Sequence, residues 1–194
     1  MHELILASAS PRRQALLEQI GLTFTTYPVD IDESCIEGES PEDCVERLAL
    51  LKARQALHDW PDAIVLGSDT MIAVDHHVLG KPTDKKDGLR MLEYLAGRSH
   101  EVLTGVAVIH NQQERYTLQR SIVTFRDLDK AEIEAYWQTG EPQDKAGAYA
   151  IQGIAAQFVS RLEGSYSGVM GLPLYETASL LAEFGIRPFR MSNA

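Results

Sequence analysis

Apolar positions along the chain switch between runs, alternation and three- or four-residue steps, and each switch marks a predicted element. Leu4–Ala7 is a short apolar run and reads as a buried strand within 3–7. Ser10-Pro11 follows as an N-cap and a proline in the first helical position. They open a helix over about 11–20, with Leu16, Leu17 and Ile20 apolar and Gly21 as its stop. Leu22–Val29 reads as a strand and Asp30–Gly38 as an acidic loop. Ser40-Pro41-Glu42-Asp43 repeats the serine–proline start and opens a long helix to about His58. Ala63–Val74 reads as a strand, Asp75-His76-His77 as a hairpin turn and Val78–Leu79 as the return. Thr83 caps a predicted helix over about 84–95. Glu101–Ile109 and Arg115–Phe125 read as long strands joined by the polar turn Asn111-Gln112-Gln113. Asp129 caps a helix to Gln138, a Gly-containing stretch covers 145–153, and Phe158–Leu162 reads as a strand. Pro173 starts a last helix to Phe184. This order predicts an α/β protein with a mixed sheet, flanking helices and a central cleft between two lobes.

At 194 residues the chain is expected to form a single domain over 1–194, two lobes around one cleft. A net charge of −10 argues against non-specific binding to nucleic acid or to an anionic membrane. No stretch approaches the ~20 apolar residues of a membrane span, and the N-terminus has no basic region before its short apolar run. A cytoplasmic protein is the expectation. Cys35 and Cys44 are too few for a disulfide framework and lack metal-type spacing, so they are expected to be free thiols in a reducing compartment.

Four features conflict with folding alone. Arg12 and Arg13 fall in the first turn of the 11–20 helix, at the positive end of its dipole, where a cation is unfavourable unless an anion sits there. Lys52 lies on the inner stripe Val45, Leu48, Ala49, Lys52, Ala56, where it must snorkel or meet an anion. Both Arg13 and Lys52 are therefore expected to be strained without a ligand. Gly67-Ser68-Asp69-Thr70 interrupts an apolar strand, either as a bulge with Asp69 in a turn or as a buried carboxylate needing partners or a metal. The acidic loop, Asp30-Ile31-Asp32-Glu33, offers carboxylates to a hard cation or is plain solvated loop. Other motifs fail. Asp30-Ile31-Asp32 follows Pro28 rather than a strong strand, Gly164-Ser165-Tyr166-Ser167-Gly168 has tyrosine at the nucleophile position, and His76-His77 reads as turn.

Ser8-Ala9-Ser10-Pro11-Arg12-Arg13, Gly67-Ser68-Asp69-Thr70, Gly80-Lys81-Pro82, Asp144-Lys145-Ala146-Gly147-Ala148-Tyr149, Ile151-Gln152-Gly153 and Gly171-Leu172-Pro173 occur in this order. With them the chain resembles the Maf family of nucleotide pyrophosphatases from about residue 4 to residue 185. The resemblance implies an α/β fold related to inosine-triphosphate pyrophosphatases and, often, a homodimer. It implies hydrolysis of a nucleoside triphosphate to the monophosphate and pyrophosphate with a divalent metal, Mg or Mn. Asp69 matches the proton acceptor, Glu33 with Asp69 the metal carboxylates, and Lys52 and Lys81 the phosphate-binding lysines. Ser8 and Arg13 belong to the phosphate-cradling motif. Arg12, Thr70 and Gln152 match the specificity positions, in the combination of the branch acting on dTTP and UTP rather than on 7-methyl-GTP. Alanine stands at 9 and 148, where relatives often carry glycine or another small residue. The competing reading is a nucleotide-sensing regulator of septum formation with little turnover, which release of pyrophosphate separates from an enzyme.

Overall fold

Two-residue alternation on neighbouring strands sorts the faces of one mixed sheet in this computed structural model, which describes residues 2–75 and 77–188. Its strands are β1 (Leu4–Leu6), β2 (Thr25–Thr26), β3 (Ile64–Val74), β4 (His77–Leu79), β5 (Ser99–His110), β6 (Gln113–Phe125) and β7 (Val159–Glu163). They lie in the order β2-β1-β3-β5-β6-β7, with β4 paired to β3. The pairs of β1 with β2 and β3 are parallel and the others antiparallel. The helices are α1 (Pro11–Gln19), α2 (Pro41–Asp59), α3 (Lys85–Leu95), α4 (Lys130–Gln138), α5 (Tyr166–Met170) and α6 (Leu174–Glu183).

Ile5, Val65, Ala107 and Ile109 pack against Ala49, Ala53 and Ala56 of α2. Their neighbours Leu4, Leu6, Leu66, Val106 and Val108 point the other way, onto Leu16 and Leu17 of α1 and Leu180 and Leu181 of α6. Farther along the same strands, Ile72, Val74 and Val102 join a second core with Leu92 and Leu95 of α3, Ile133 and Tyr136 of α4, and Phe158. β3 and β5 therefore run through both lobes. The polar segment Ser68-Asp69-Thr70 sits between the two cores.

That segment is regular strand. Val65 through Ala73 pair without interruption with Ile109 through Glu101, so the bulge alternative is excluded. Gly67 has a packing reason, since a Cβ there would lie 2.4 Å from the Ala49 carbonyl oxygen. Its absence lets α2 approach β3 closely enough for Lys52 to reach Asp69.

Three expectations need correction. The strand expected over Leu22–Val29 shrinks to Thr25–Thr26, because only Thr25 and Thr26 pair with β1 and Pro28 has no N–H to extend the ladder. Asp84, not Thr83, caps α3 by accepting from the Asp87 N–H, because its side chain stands one residue before the first helical position. His77 belongs to β4, paired with Val74, rather than to the turn, and His76 lies outside the described residues. The caps at Ser10, Ser40 and Asp129 stand as expected, the last as a full capping box with Glu132.

Candidate active site

Lys52 is the centre of the cleft. Its Nζ lies 2.7 Å from Asp69 Oδ1 and 2.6 Å from Glu33 Oε1. Lys52 and Asp69 are 6% and 7% exposed, so α2 and β3 hold a buried ion pair, while Glu33 reaches in from the exposed loop. Lys52 thus meets an anion, one of the two alternatives its position allowed, and because the protein itself supplies it, the expectation that Lys52 is strained without a ligand is corrected. Burial pushes the Glu33 carboxyl up, but its hydrogen bond to Lys52 and the charges of Lys52, Lys81 and Arg13 hold it below the usual carboxylate range. Asp69 Oδ2 has no hydrogen-bond partner among the described residues, leaving one carboxylate oxygen for a water or a cation.

Arg13 differs. The residue is 9% exposed, and its Nε donates to the Gly171 carbonyl at 2.8 Å, Nη1 to Ser8 Oγ at 3.2 Å and Nη2 to Thr70 Oγ1 at 3.4 Å. No carboxylate pairs with it directly among the described residues, and burial lowers its pKa, opposed by the charge of Asp69. Ser10 caps the helix through the Arg13 N–H, and α1 has no acidic residue in its first turn. The helix thus starts with two cations and no acidic side chain in its first turn to offset the positive end of its dipole. Ser8 takes a supporting position behind Arg13 and is absent from the cleft wall.

Arg12, Arg13, Glu33, Lys52, Asp69, Thr70, Lys81 and Gln152 all line one cleft. Lys145 joins them, a cation the residue pattern alone did not single out; it is paired with Asp144, which also lines the cleft. Gln152 is exposed, on a segment with no regular structure that starts from two consecutive left-handed residues, Gly147 (φ 66°) and Ala148 (φ 59°). Glu141 holds this segment. Its Oε1 accepts from the Tyr136 hydroxyl at 2.8 Å and from the Ala155 N–H at 3.3 Å, and its Oε2 from the Ile154 N–H at 2.9 Å. A Cβ at Gly153 would come within 2.2 Å of that carboxylate. Tyr149 lines the cleft, and its hydroxyl lies 2.8 Å from Nε2 of buried His100. Nothing in residue spacing marks Glu141 or His100, whose partners are supplied by distant segments.

Glu33 and Asp69 suit a small hard cation. Magnesium is commonly held by one or two carboxylates, with substrate phosphates and water completing its shell. Both carboxylates already converge on one ammonium, so a cation there would take over the charge that Lys52 now neutralises.

The sequence model of Maf-like proteins matches residues 3–184, nearly the whole chain. The chain belongs to the Maf family. It is 54% identical over 187 residues to a dTTP/UTP pyrophosphatase of Alkalilimnicola ehrlichii, covering 93% of this chain and 92% of that one. It is 49% identical over 185 residues to a dTTP/UTP pyrophosphatase of Symbiobacterium thermophilum, with 95% of each chain covered. In structure it is similar to a HAM1 protein from Coxiella burnetii, with a TM-score of 0.55 and 18% identity over 94% of this chain and 100% of that one. The Staphylococcus aureus Ham1 protein gives the same TM-score of 0.55 at 12% identity, covering 95% of this chain and 100% of that chain. These likenesses establish the mixed α/β fold. Among the described residues no helix is long and apolar enough to cross a membrane.

Cys35 and Cys44 are joined, with their Cα atoms 5.4 Å apart, which corrects the expectation of free thiols. The first turn of α2 places Cys44 against the end of the acidic loop, a proximity that counting cysteines does not reveal.

Proposed function

We propose that this Maf protein hydrolyses dTTP and UTP to the monophosphate and pyrophosphate, as a single domain acting in the cytoplasm with a divalent metal. The observation that carries the reading is the buried Asp69–Lys52 pair, joined by Glu33 from the exposed loop, at the foot of a cleft walled by Arg12, Arg13 and Lys81. Relatives at about half identity bearing the dTTP/UTP pyrophosphatase name support the substrate class.

Cleavage of the α–β anhydride needs a water aimed at the α-phosphorus, a base within hydrogen-bond reach and neutralisation of the leaving pyrophosphate. Asp69 is fixed on a central strand, and its Oδ2 is the acceptor for the water proton. Glu33 and Asp69 would hold the metal, which supplies positive charge to the phosphate oxygens. The Lys52 ammonium lines the same cleft and would share its charge between these carboxylates and the substrate phosphates. Arg13 brings a buried guanidinium with no paired carboxylate, and Arg12 and Lys81 add charge at the rim. Gln152 both donates and accepts through one amide and so matches the carbonyl and N–H edge shared by uracil and thymine. Cytosine presents an amino group and a bare ring nitrogen there, so Gln152 must flip its amide or leave a group unpaired, the latter worth about 1–3 kcal/mol or roughly ten- to a hundredfold in kcat/KM.

The test is pyrophosphate release from UTP, dTTP, CTP and 7-methyl-GTP by the wild type and Asp69→Asn. The expected result is equal use of UTP and dTTP, slower CTP, and a loss of at least about a hundredfold in kcat for the variant with its fold intact. A preference for 7-methyl-GTP refutes the branch, and near-normal turnover by Asp69→Asn removes Asp69 as the base.

A further inference from the structure

We propose that the Cys35–Cys44 disulfide is a redox-responsive pin on the loop that presents Glu33, opened by small dithiols. The proposal rests on the reading of Glu33 as a metal carboxylate.

The acidic loop has no regular secondary structure between residues 30 and 36, and it is held to the core on both sides of Glu33. Two residues before Glu33, Ile31 packs on the cluster of Cys44, Val45, Leu48, Met71 and Leu103. Two residues after it, Cys35 is bonded to Cys44 of the same cluster and lies 3.8 Å from the sulfur of Met71. Glu33 thus sits midway between an apolar anchor and a covalent one. Met71 is itself two residues beyond Asp69 on β3, so the pin connects the two carboxylates through rigid structure.

The two sulfurs are not equivalent. Cys35 is an exposed residue, whereas Cys44 is fully buried on α2. Arg47, one turn along, places Nη2 3.6 Å from Cys44 Sγ and also holds the Ser34 carbonyl at 2.9 Å. A dithiol thiolate attacking Cys35 Sγ breaks the S–S bond and expels Cys44 Sγ as a thiolate, whose charge the guanidinium meets. The second thiol then attacks the mixed disulfide, releasing Cys35 and leaving the reductant as a cyclic disulfide. Two electrons and two protons pass from dithiol to protein. Cys35, Glu39 and Cys44 present ligand atoms within 4.8 Å of one another. Arg47 already fills the cation position there, pairing with Glu39 at 2.7 and 2.8 Å, which favours thiol exchange over metal binding.

With the pin open, Glu33 loses its covalent anchor, keeps the Ile31 packing and the Arg47 bond to the Ser34 carbonyl, and spends less time beside Lys52 and Asp69. The metal requirement should rise while chemistry at saturating metal changes little.

The experiment titrates Mg²⁺ against pyrophosphate release from UTP, using protein oxidised with diamide or reduced with dithiothreitol that is then removed. Thiols are counted with Ellman's reagent in denaturant. Oxidised protein should show no free thiols and reduced protein both. Half-saturating Mg²⁺ should rise about threefold to tenfold on reduction, the factor by which the competent loop population falls. Cys35→Ser should behave like reduced wild type and ignore the reductant. Two thiols persisting after diamide overturn the proposal. So does a metal requirement unmoved by reduction while Glu33→Gln raises it. If Glu33→Gln leaves the metal requirement at the wild-type value, the metal role of Glu33 fails instead.

Discussion

Lys52 and Asp69 project from a 19-residue helix and an 11-residue strand, whereas Gln152 projects from a turn entered through two consecutive left-handed residues. The end of the cleft that we propose meets the phosphates is positioned by core packing. Gly67 lets α2 close onto β3, and apolar layers lie on either side of the ion pair. The base end is positioned by polar contacts, with Glu141, Tyr136 and His100 reaching from other segments to hold one irregular strap. Chemistry common to every triphosphate can sit on a frame that packing makes rigid. On the function proposed above, recognition of one base falls to a loop whose geometry a few hydrogen bonds define, and it can change without disturbing the frame.

The sharpest break in this contrast is at Lys52. Lys52→Met leaves the buried Asp69 carboxylate facing Glu33 with no cation between them. Removing one partner of a buried pair destabilises by about 3 kcal/mol or more, so a clear fall in melting temperature should accompany a loss of at least about a hundredfold in kcat/KM. The double variant Lys52→Met with Asp69→Asn should regain most of that stability and none of the activity. Arg13→Met should lose activity at nearly unchanged stability, because its partners are neutral. Urea midpoints for the four proteins check this, and equal stability losses for Lys52→Met and Arg13→Met would erase the distinction between them.

Next in size is a pH effect at the base end. Burial lowers His100 to about 4, from an ordinary value of 6.5, and its Nδ1 has no partner among the described residues. The unfolded chain binds that proton below about 6.5, but the folded protein does not until about 4. Stability attributable to His100 is therefore present above that window and falls as pH drops through it, by about 3 kcal/mol in full. His100→Phe should show a shallower decline in urea midpoint between those pH values. Parallel curves would mean that the imidazole is solvated or already charged.

Smaller still, Glu141→Ala removes the acceptor for Tyr136 and for the Ile154 and Ala155 N–H groups. KM for UTP should rise about tenfold and the preference for UTP over CTP should shrink, with kcat reduced less, since Asp69 is untouched. Proportional losses on UTP and CTP would show that Glu141 supports the whole fold rather than Gln152.

The same contrast decided what was legible from sequence. Strand and helix at the phosphate end announce themselves because apolar periodicity makes both the elements and the conflicts visible. Lys52 stands out on a core-facing stripe, and Asp69 in an apolar strand, only because their neighbours define the stripe. Their mutual ion pair was not visible, since it depends on how closely α2 meets β3. At the base end no periodicity exists to violate, and Gln152 was found through motif resemblance alone. Glu141 looks like an ordinary acidic residue beside a proline, and its role comes from residues 13 and 14 positions later. The Leu22–Val29 strand was overestimated for a related reason, because β-forming residues do not reveal whether a partner strand is within reach.

The smallest expected effect tests whether the left-handed entry to the Gln152 segment is a burden or a positioning device. Ala148 is fully buried at φ 59°, a conformation that disfavours a side chain by about 1–2 kcal/mol. Ala148→Gly relieves that strain. It also removes a buried methyl, worth about 0.8 kcal/mol, and gives the unfolded chain extra freedom worth roughly 0.5–1 kcal/mol. These terms nearly cancel, so the urea midpoint should move by less than about 1 kcal/mol in equivalent stability. Recognition need not cancel in the same way. Ala148 restricts the backbone between the Gly147 N–H, fixed to the Gly80 carbonyl at 3.0 Å, and Tyr149, fixed to His100. Glycine widens the conformations available between those two anchors and should reduce the preference for UTP over CTP by about twofold to threefold, well under 1 kcal/mol in coupling. Unchanged selectivity with raised stability would mean that the alanine is only strain, and that Glu141 and His100 alone hold the base end in place.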